Sequence, residues 1–111
     1  MTQLQYTKRI FICDEFIAEE RRKYLIVVIY DIVDNRRRAA FSKYLLGFGL
    51  RVQKSAFECI LPNAKYEKLI RGIPGFIEKE DKIRVYKLTS NADIRAWGDV
   101  DLVEEEEVVI I

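Results

Sequence analysis

The sequence predicts an α+β sandwich in which two helices cover one face of an antiparallel sheet. Three observations carry that prediction. The seven residues Tyr24–Tyr30 (YLIVVIY) form an unbroken β-branched and aromatic run, as expected of a central strand buried on both faces. Phe41, Tyr44, Leu45 and Phe48 recur at helical spacing, and so do Tyr66, Leu69, Ile70 and Ile73. Alternating, strand-like segments lie between and after these two stripes.

The elements follow in order. Thr7–Ile12 has some strand character within an N-terminal extension, residues 1–23, to which no role is assigned. The apolar run ends in Asp31. Asp34 suits a helix N-cap, because its carboxylate can accept from the free N–H groups of the first turn. The first helix is expected over about residues 35–48, with Gly49 as a left-handed cap. Leu50–Leu61 is extended but changes phase, with Leu50 and Val52 on one parity and Phe57, Cys59 and Leu61 on the other. A bulge or kink near Lys54–Ala56 is therefore expected, giving one bent strand or two short ones. Pro62 and Asn63 lead into the second helix, which Pro74–Gly75 breaks. Lys82–Leu88 alternates as a strand. Thr89–Asp93 reads as a turn, Ile94–Trp97 as a short strand and Glu107–Ile111 as a terminal one. This order fits the split βαβ, or ferredoxin-like, arrangement, which by itself specifies no activity.

Composition narrows the chemistry. The chain has 111 residues, the size of one domain, with half of them hydrophobic and a third charged. It contains no histidine, which excludes histidine-based nucleophile pairs, metal ligands and proton shuttles. Cys13 and Cys59 are far apart and read as reduced thiols of a cytoplasmic protein. No membrane span is expected, because the longest apolar run is far short of ~20 residues. The formal charge of +1 conceals a strong asymmetry. Residues 21–54 carry a net +7 and residues 99–111 a net −6, a split that points to an anionic partner for the first half.

The candidate site lies where that basic region meets the end of the central strand: Asp31, Asp34, Asn35, Arg36, Arg37 and Arg38. A carboxylate at a strand terminus is held by rigid backbone, and two carboxylates three residues apart could share a hard cation such as Mg²⁺. Three consecutive arginines on a first helical turn point in different directions, so one should face the loop that carries Asp31. They oppose the helix dipole, which mildly favours a functional reason for them. Arginine also grips phosphate with two oxygens at once. Acid, metal and arginine form the minimum kit for phosphodiester cleavage without histidine. Arg51, Lys54 and Phe57 form a second cluster, able to hold a phosphate backbone and stack a base, although Phe57 taken alone suits the core. Glu104–Glu107 suits either a solvated stretch or a docking surface.

Three segments together resemble one family: YLIVVIYDIVD (residues 24–34) with its following arginines, GLRVQKSAFEC (residues 49–59) and DKIRVYKL (residues 81–88). They are similar to the second CRISPR-associated protein, the small adaptation nuclease, over about residues 24–111. The resemblance implies a ferredoxin-like homodimer whose terminal strand, Glu107–Ile111, crosses to the partner subunit. It implies a metal-dependent endonuclease acting on RNA or double-stranded DNA. It also implies a scaffold that holds the CRISPR integrase and new spacer DNA during adaptation. Asp31 matches the metal-binding aspartate, paired across the dimer around Mg²⁺ or Mn²⁺. Arg38, Arg51 and Phe57 match the basic and aromatic site positions, Arg38 and Arg51 as catalytic residues that stabilise charge developing on phosphate oxygens, and Arg36, Arg37 and Lys54 are the further nucleic-acid contacts expected from the residues. A non-catalytic DNA-binding scaffold and a ferredoxin-like toxin ribonuclease are the alternatives.

Overall fold

A computed structural model describes residues 5–10, 22–88, 92–98 and 108–110. The elements are β1 (Gln5–Ile10), β2 (Lys23–Asp31), α1 (Asn35–Leu46), β3 (Leu50–Gln53), β4 (Ala56–Pro62), α2 (Asn63–Gly72), a 3₁₀ turn (Ile73–Phe76), β5 (Lys82–Leu88), β6 (Ala92–Trp97) and β7 (Val108–Ile110). Of the expected turn Thr89–Asp93, Ala92 and Asp93 belong instead to β6; residues 89–91, the acidic run Glu104–Glu107 and Cys13 lie outside the described residues.

Four strands form one sheet in the order β3-β4-β2-β5, with every neighbouring pair antiparallel. With α1 and α2 on one face, this is the ferredoxin-like sandwich that the sequence predicts. β2 lies inside the sheet because its apolar run can pair on both edges, with β4 from Lys23↔Pro62 to Ile29↔Ala56 and with β5 from Leu25↔Leu88 to Asp31↔Lys82.

The core lies between this sheet and the helices. Tyr24, Ile26, Val28 and Tyr30 project from β2 onto it, joined by Phe57, Cys59 and Leu61 of β4 and by Phe41, Leu45, Leu69 and Ile73 from the helical layer. Its centre is aromatic: Tyr30 meets Phe41 edge-on at 5.1 Å, and Phe76 closes on Phe41 at 5.6 Å and on Tyr44 at 4.8 Å. Tyr44 also ties the helices together, its hydroxyl pointing at the Lys68 and Leu69 carbonyls of α2 at 3.2 and 3.1 Å.

The other face of β2 departs from expectation. The run is not buried on both sides. Leu25 is covered, Val27 is half-buried, Ile29 is 45% exposed and Asp31 is exposed. Tyr86 and Leu88 of β5 extend this open, partly apolar face at 44% and 42% exposure.

Local chemistry sets the boundaries. Asp34 caps α1 as expected, accepting from the Arg37 N–H at 2.9 Å. The helix ends at Leu46 rather than Phe48 because the Gly47 and Phe48 N–H groups turn back to the Tyr44 and Leu45 carbonyls. The phase change in 50–61 resolves into two strands joined by a turn at Lys54–Ser55, with a register shift between Arg51 and Gln53. Gly49 is not a left-handed cap, since Gly98 alone among the described glycines has positive φ. Its role is close approach: a Cβ at Gly49 would lie 2.2 Å from the Glu58 carbonyl oxygen.

A second sheet runs β6-β1-β7, with β1 at its centre. The N-terminal strand therefore pairs with β6 (Gln5↔Trp97 to Ile10↔Ala92) and β7 (Lys8↔Ile110 to Ile10↔Val108). In the single chain Val108–Ile110 pairs with β1.

Gly49→Ala tests the close approach. Backbone cannot yield as a flexible side chain would, so the substitution should lower stability by roughly 3 kcal/mol, read as a lower urea midpoint. An unchanged midpoint would show that β3 is free to move away from β4.

Candidate active site

Asp31 is the last residue of β2 and points to the open face of the sheet, opposite to Tyr30, which enters the core. It is exposed, and among the described residues its carboxylate meets no hydrogen-bond or ion-pair partner. Across the strand pair it faces Lys82, also exposed, on the same side of the sheet. A fixed, unengaged carboxylate beside a cation suits a role toward a ligand rather than toward the fold.

The turn after Asp31 is fastened from two sides. Arg38 reaches back from α1, donating from Nε to the Ile32 carbonyl at 3.0 Å and from a terminal nitrogen to the Val33 carbonyl at 3.1 Å. Its other terminal nitrogen meets Asn35 Oδ1 at 2.7 Å. Arg38 is thus the arginine that faces the Asp31 loop, as expected, and much of its fork is engaged there.

Asp81, just before β5, fastens the other side. Its carboxylate accepts the Val33 N–H at 2.9 Å and the Glu78 N–H at 2.8 Å. Arg37 approaches the same carboxylate from Nε at 3.3 Å and from a terminal nitrogen at 2.9 Å. The Asp81 side chain is fully shielded from solvent. Burial alone would push its pKa up, but the Val33 and Glu78 N–H groups and the Arg37 guanidinium outweigh that and hold it below the ordinary carboxylate range. The same hydrogen bond holds the Arg37 pKa above its ordinary value.

The structure therefore sorts the sequence-derived candidates. Asp34 is taken by the helix cap and Arg37 by Asp81, so neither offers a free charge to a ligand. Arg36 stays exposed on the first turn. Arg38, Arg51 and Lys54 line one cleft between α1 and the β3–β4 hairpin. Phe57 is a correction: its ring is 0% exposed and packs beside Tyr30, so it cannot stack a base. Sequence reasoning missed Asp81 and Lys82. The pairing of Asp31 with Lys82 depends on register, and the Asp81 contacts span 44 to 48 positions to Arg37 and Val33. Neither leaves a local pattern. Cys59 adds no nucleophile, because burial pushes its thiol up to about 12.

Among the described residues no three Cys, Asp or Glu side chains converge as a metal cage. At the end of β2, among the described residues, Asp31 is the carboxylate left free to offer hard oxygen ligands. That fits Mg²⁺ or Mn²⁺ as a partial ligand set, since Mg²⁺ characteristically takes one or two carboxylates and completes its shell with water and phosphate oxygens.

The family model described as CRISPR associated protein Cas2 matches residues 24–95, beginning at β2. A CRISPR-associated endoribonuclease Cas2 from Mycobacterium tuberculosis is 47% identical over 87 residues, covering 78% of this chain and 77% of that protein. One from Synechocystis sp. is 35% identical over 91 residues, covering 79% of this chain and 99% of its own. Among solved structures, a hypothetical protein from Thermus thermophilus aligns with a TM-score of 0.63 at 34% identity, covering 74% of this chain and 99% of that one. Streptococcus pyogenes Cas2 aligns with a TM-score of 0.52 at 28% identity, covering 56% of this chain and 82% of that one.

Asp81→Asn tests the fastening. An amide turns a donor toward groups that already donate, so the thermal midpoint at pH 7 should fall by roughly 5 °C or more. The pH response has a definite sign. A carboxylate whose pKa is lowered by folding stabilises the protein above about pH 4 and loses that contribution as pH falls through its native value. The parent should therefore lose stability steeply below about pH 4, and the variant should lose it less steeply. Parallel acid limbs would contradict the assignment.

Proposed function

The chain belongs to the Cas2 family of CRISPR-associated proteins, and from that premise we propose that it is a metal-dependent endonuclease hydrolysing phosphodiester bonds in RNA or double-stranded DNA. The observation that carries this reading is Asp31: exposed, unpartnered among the described residues, and fixed at a strand end beside a turn fastened from two sides. The relatives' names as endoribonucleases support it.

Asp31 would hold Mg²⁺ or Mn²⁺ through its carboxylate oxygens. When bound, that cation supplies Lewis-acid polarisation of the phosphate and a more acidic bound water. The chain's own residues do the rest. Arg38 and Asp81 keep the turn after Asp31 from moving, so the carboxylate meets its ligand in one position. Lys82, across the strand pair, and Arg36, on the first turn of α1, are exposed cations that offset phosphate charge near the strand end.

The open sheet face supports a homodimer. Val27, Ile29, Tyr86 and Leu88 leave apolar surface on the side that carries Asp31, and an apolar patch rimmed by charge marks an interface. A second copy there would bring a second Asp31 toward the first and enlarge the ligand set. Within a CRISPR system the dimer would act in the cytoplasm with the integrase in spacer acquisition. No helix among the described residues is long and apolar enough to cross a membrane.

One observation favours a second reading, a non-catalytic nucleic-acid scaffold: among the described residues, a single chain brings only one free carboxylate to the site. Asp31→Asn separates the two on single-stranded RNA and duplex DNA, with and without Mg²⁺. The nuclease reading expects a cleavage loss of about 100-fold or more with the fold intact. Cleavage that persists in the variant would remove Asp31 from the mechanism. Spacer acquisition that survives the loss of cleavage would make the scaffold the biological role.

A further inference from the structure

Around Asp31, the other oxygens that could ligate a cation are already taken by donors. The Ile32 and Val33 carbonyls accept from the Arg38 guanidinium at 3.0 and 3.1 Å. The Asp34 carboxylate accepts the Arg37 N–H as the helix cap. The Asp81 carboxylate accepts two backbone N–H groups and the Arg37 guanidinium. A guanidinium on an oxygen both occupies a lone pair and repels a second cation. Among the described residues, Asp31 is therefore the one hard ligand that this strand end leaves open.

Register then sets a cation against it. β2 and β5 pair Asp31↔Lys82, Ile29↔Arg84 and Val27↔Tyr86. Residues opposite one another share a face, so Lys82, Arg84 and Tyr86 stand on the open side with Asp31. Arg84 reaches along β5 to the Tyr86 hydroxyl at 3.5 Å, which leaves Lys82 as the cation directly across from the carboxylate. Lys82 is exposed, and among the described residues it forms no ion pair with Asp31 or with any other carboxylate. Its backbone is held, because its neighbour Asp81 accepts the Val33 N–H just past Asp31 at 2.9 Å. The ammonium thus stays near the carboxylate without being locked onto it.

One carboxylate facing one ammonium has no net charge with which to attract a divalent cation. A cation on Asp31 alone would be repelled by Lys82, and it would lack the oxygens that Mg²⁺ requires. A phosphate supplies both missing things. Its oxygens extend the ligand set, and its negative charge gives the ammonium another partner. A second copy leaves this balance unchanged, because it brings one Lys82 with each Asp31.

We propose that the site keeps no resident cation: Lys82 makes metal binding at Asp31 depend on a phosphate, so that metal and nucleic-acid backbone enter as coupled ligands. By linkage, each raises the affinity of the other by the same factor. The proposal rests on the reading of Asp31 as the metal-binding residue and adds the condition under which it loads.

The test titrates the full chain with Mn²⁺ and follows the loss of the free-ion electron paramagnetic resonance signal. It is run without nucleic acid, with a short DNA duplex and with a single-stranded RNA of equal length, each nucleic acid alone serving as its blank. The parent should bind Mn²⁺ weakly by itself, without saturating below about 1 mM, and roughly tenfold more tightly with the nucleic acid that it holds. Lys82→Gln should bind Mn²⁺ alone roughly threefold to tenfold more tightly than the parent, and its gain from nucleic acid should shrink by that factor. Lys82→Arg keeps the charge and should behave as the parent. Lys82 is exposed, so the fold should survive, and circular dichroism checks that it does. Equal binding of Mn²⁺ alone by the parent and Lys82→Gln would overturn the proposal, and so would a parent that saturates at micromolar Mn²⁺ alone or gains nothing from either nucleic acid. The two readings fail separately. An Asp31→Asn variant that keeps the parent's gain from nucleic acid removes Asp31 as the metal ligand, whereas an Asp31-dependent site indifferent to Lys82 removes the coupling and leaves the nuclease assignment standing.

Discussion

The buried carboxylate of Asp81 is the contact on which the rest of the site depends. It takes N–H groups from two loops, at Val33 and at Glu78, and a two-nitrogen approach from Arg37 on α1. Three separate pieces of chain, the exit of β2, the first turn of α1 and the approach to β5, are thereby joined at one side chain. A buried charge of this kind is favourable only when its acceptor positions are filled, and here they are. With the turn held from that side, Arg38 can reach back to the Ile32 and Val33 carbonyls from the other. Asp31 is left as the one carboxylate of the loop without a structural task.

The sheet divides two kinds of work. Its helix side carries the aromatic core and, at the α1–hairpin flank, a cluster of cations. Its open side carries Asp31, Lys82 and a partly apolar surface. β2 links the two, since alternate residues of a single strand feed the core and the site. That coupling explains why a fully apolar strand ends in an exposed acid: the pairing that buries Tyr30 against Phe41 and Phe57 is what gives Asp31 a rigid base.

The sequence was informative where the signal is local. The apolar run, the two helical stripes and the Asp34 cap are written within a few residues, and the ferredoxin-like order follows from them. The phase break before Phe57 located the hairpin. What local pattern hides is distance and facing. Tyr24–Tyr30 looks buried on both sides, yet among the described residues no element covers Ile29. Arg36, Arg37 and Arg38 look alike, but their partners differ, because only one points toward Asp81 and only one toward the Ile32 carbonyl. Phe57 looks available for stacking beside Arg51 and Lys54, yet its register opposite Val28 turns it inward. The N-terminal extension gave little warning that it would be the centre of a sheet, since β1 finds its partners more than eighty positions away. The family match settles CRISPR membership, which composition alone left open.

Amide hydrogen exchange at Val33 and Glu78 tests the Asp81 fastening most directly. In the parent protein both amides should be strongly protected although they lie in turns near the surface, because each donates to a shielded carboxylate. In Asp81→Asn both should lose that protection together, while amides in the centre of β2, which bond to β4 and β5, keep theirs. Val33 and Glu78 amides that exchange rapidly in the parent, or that stay protected in the variant, would show that something other than Asp81 holds the loop, and the account of how Asp31 is positioned would fail with it.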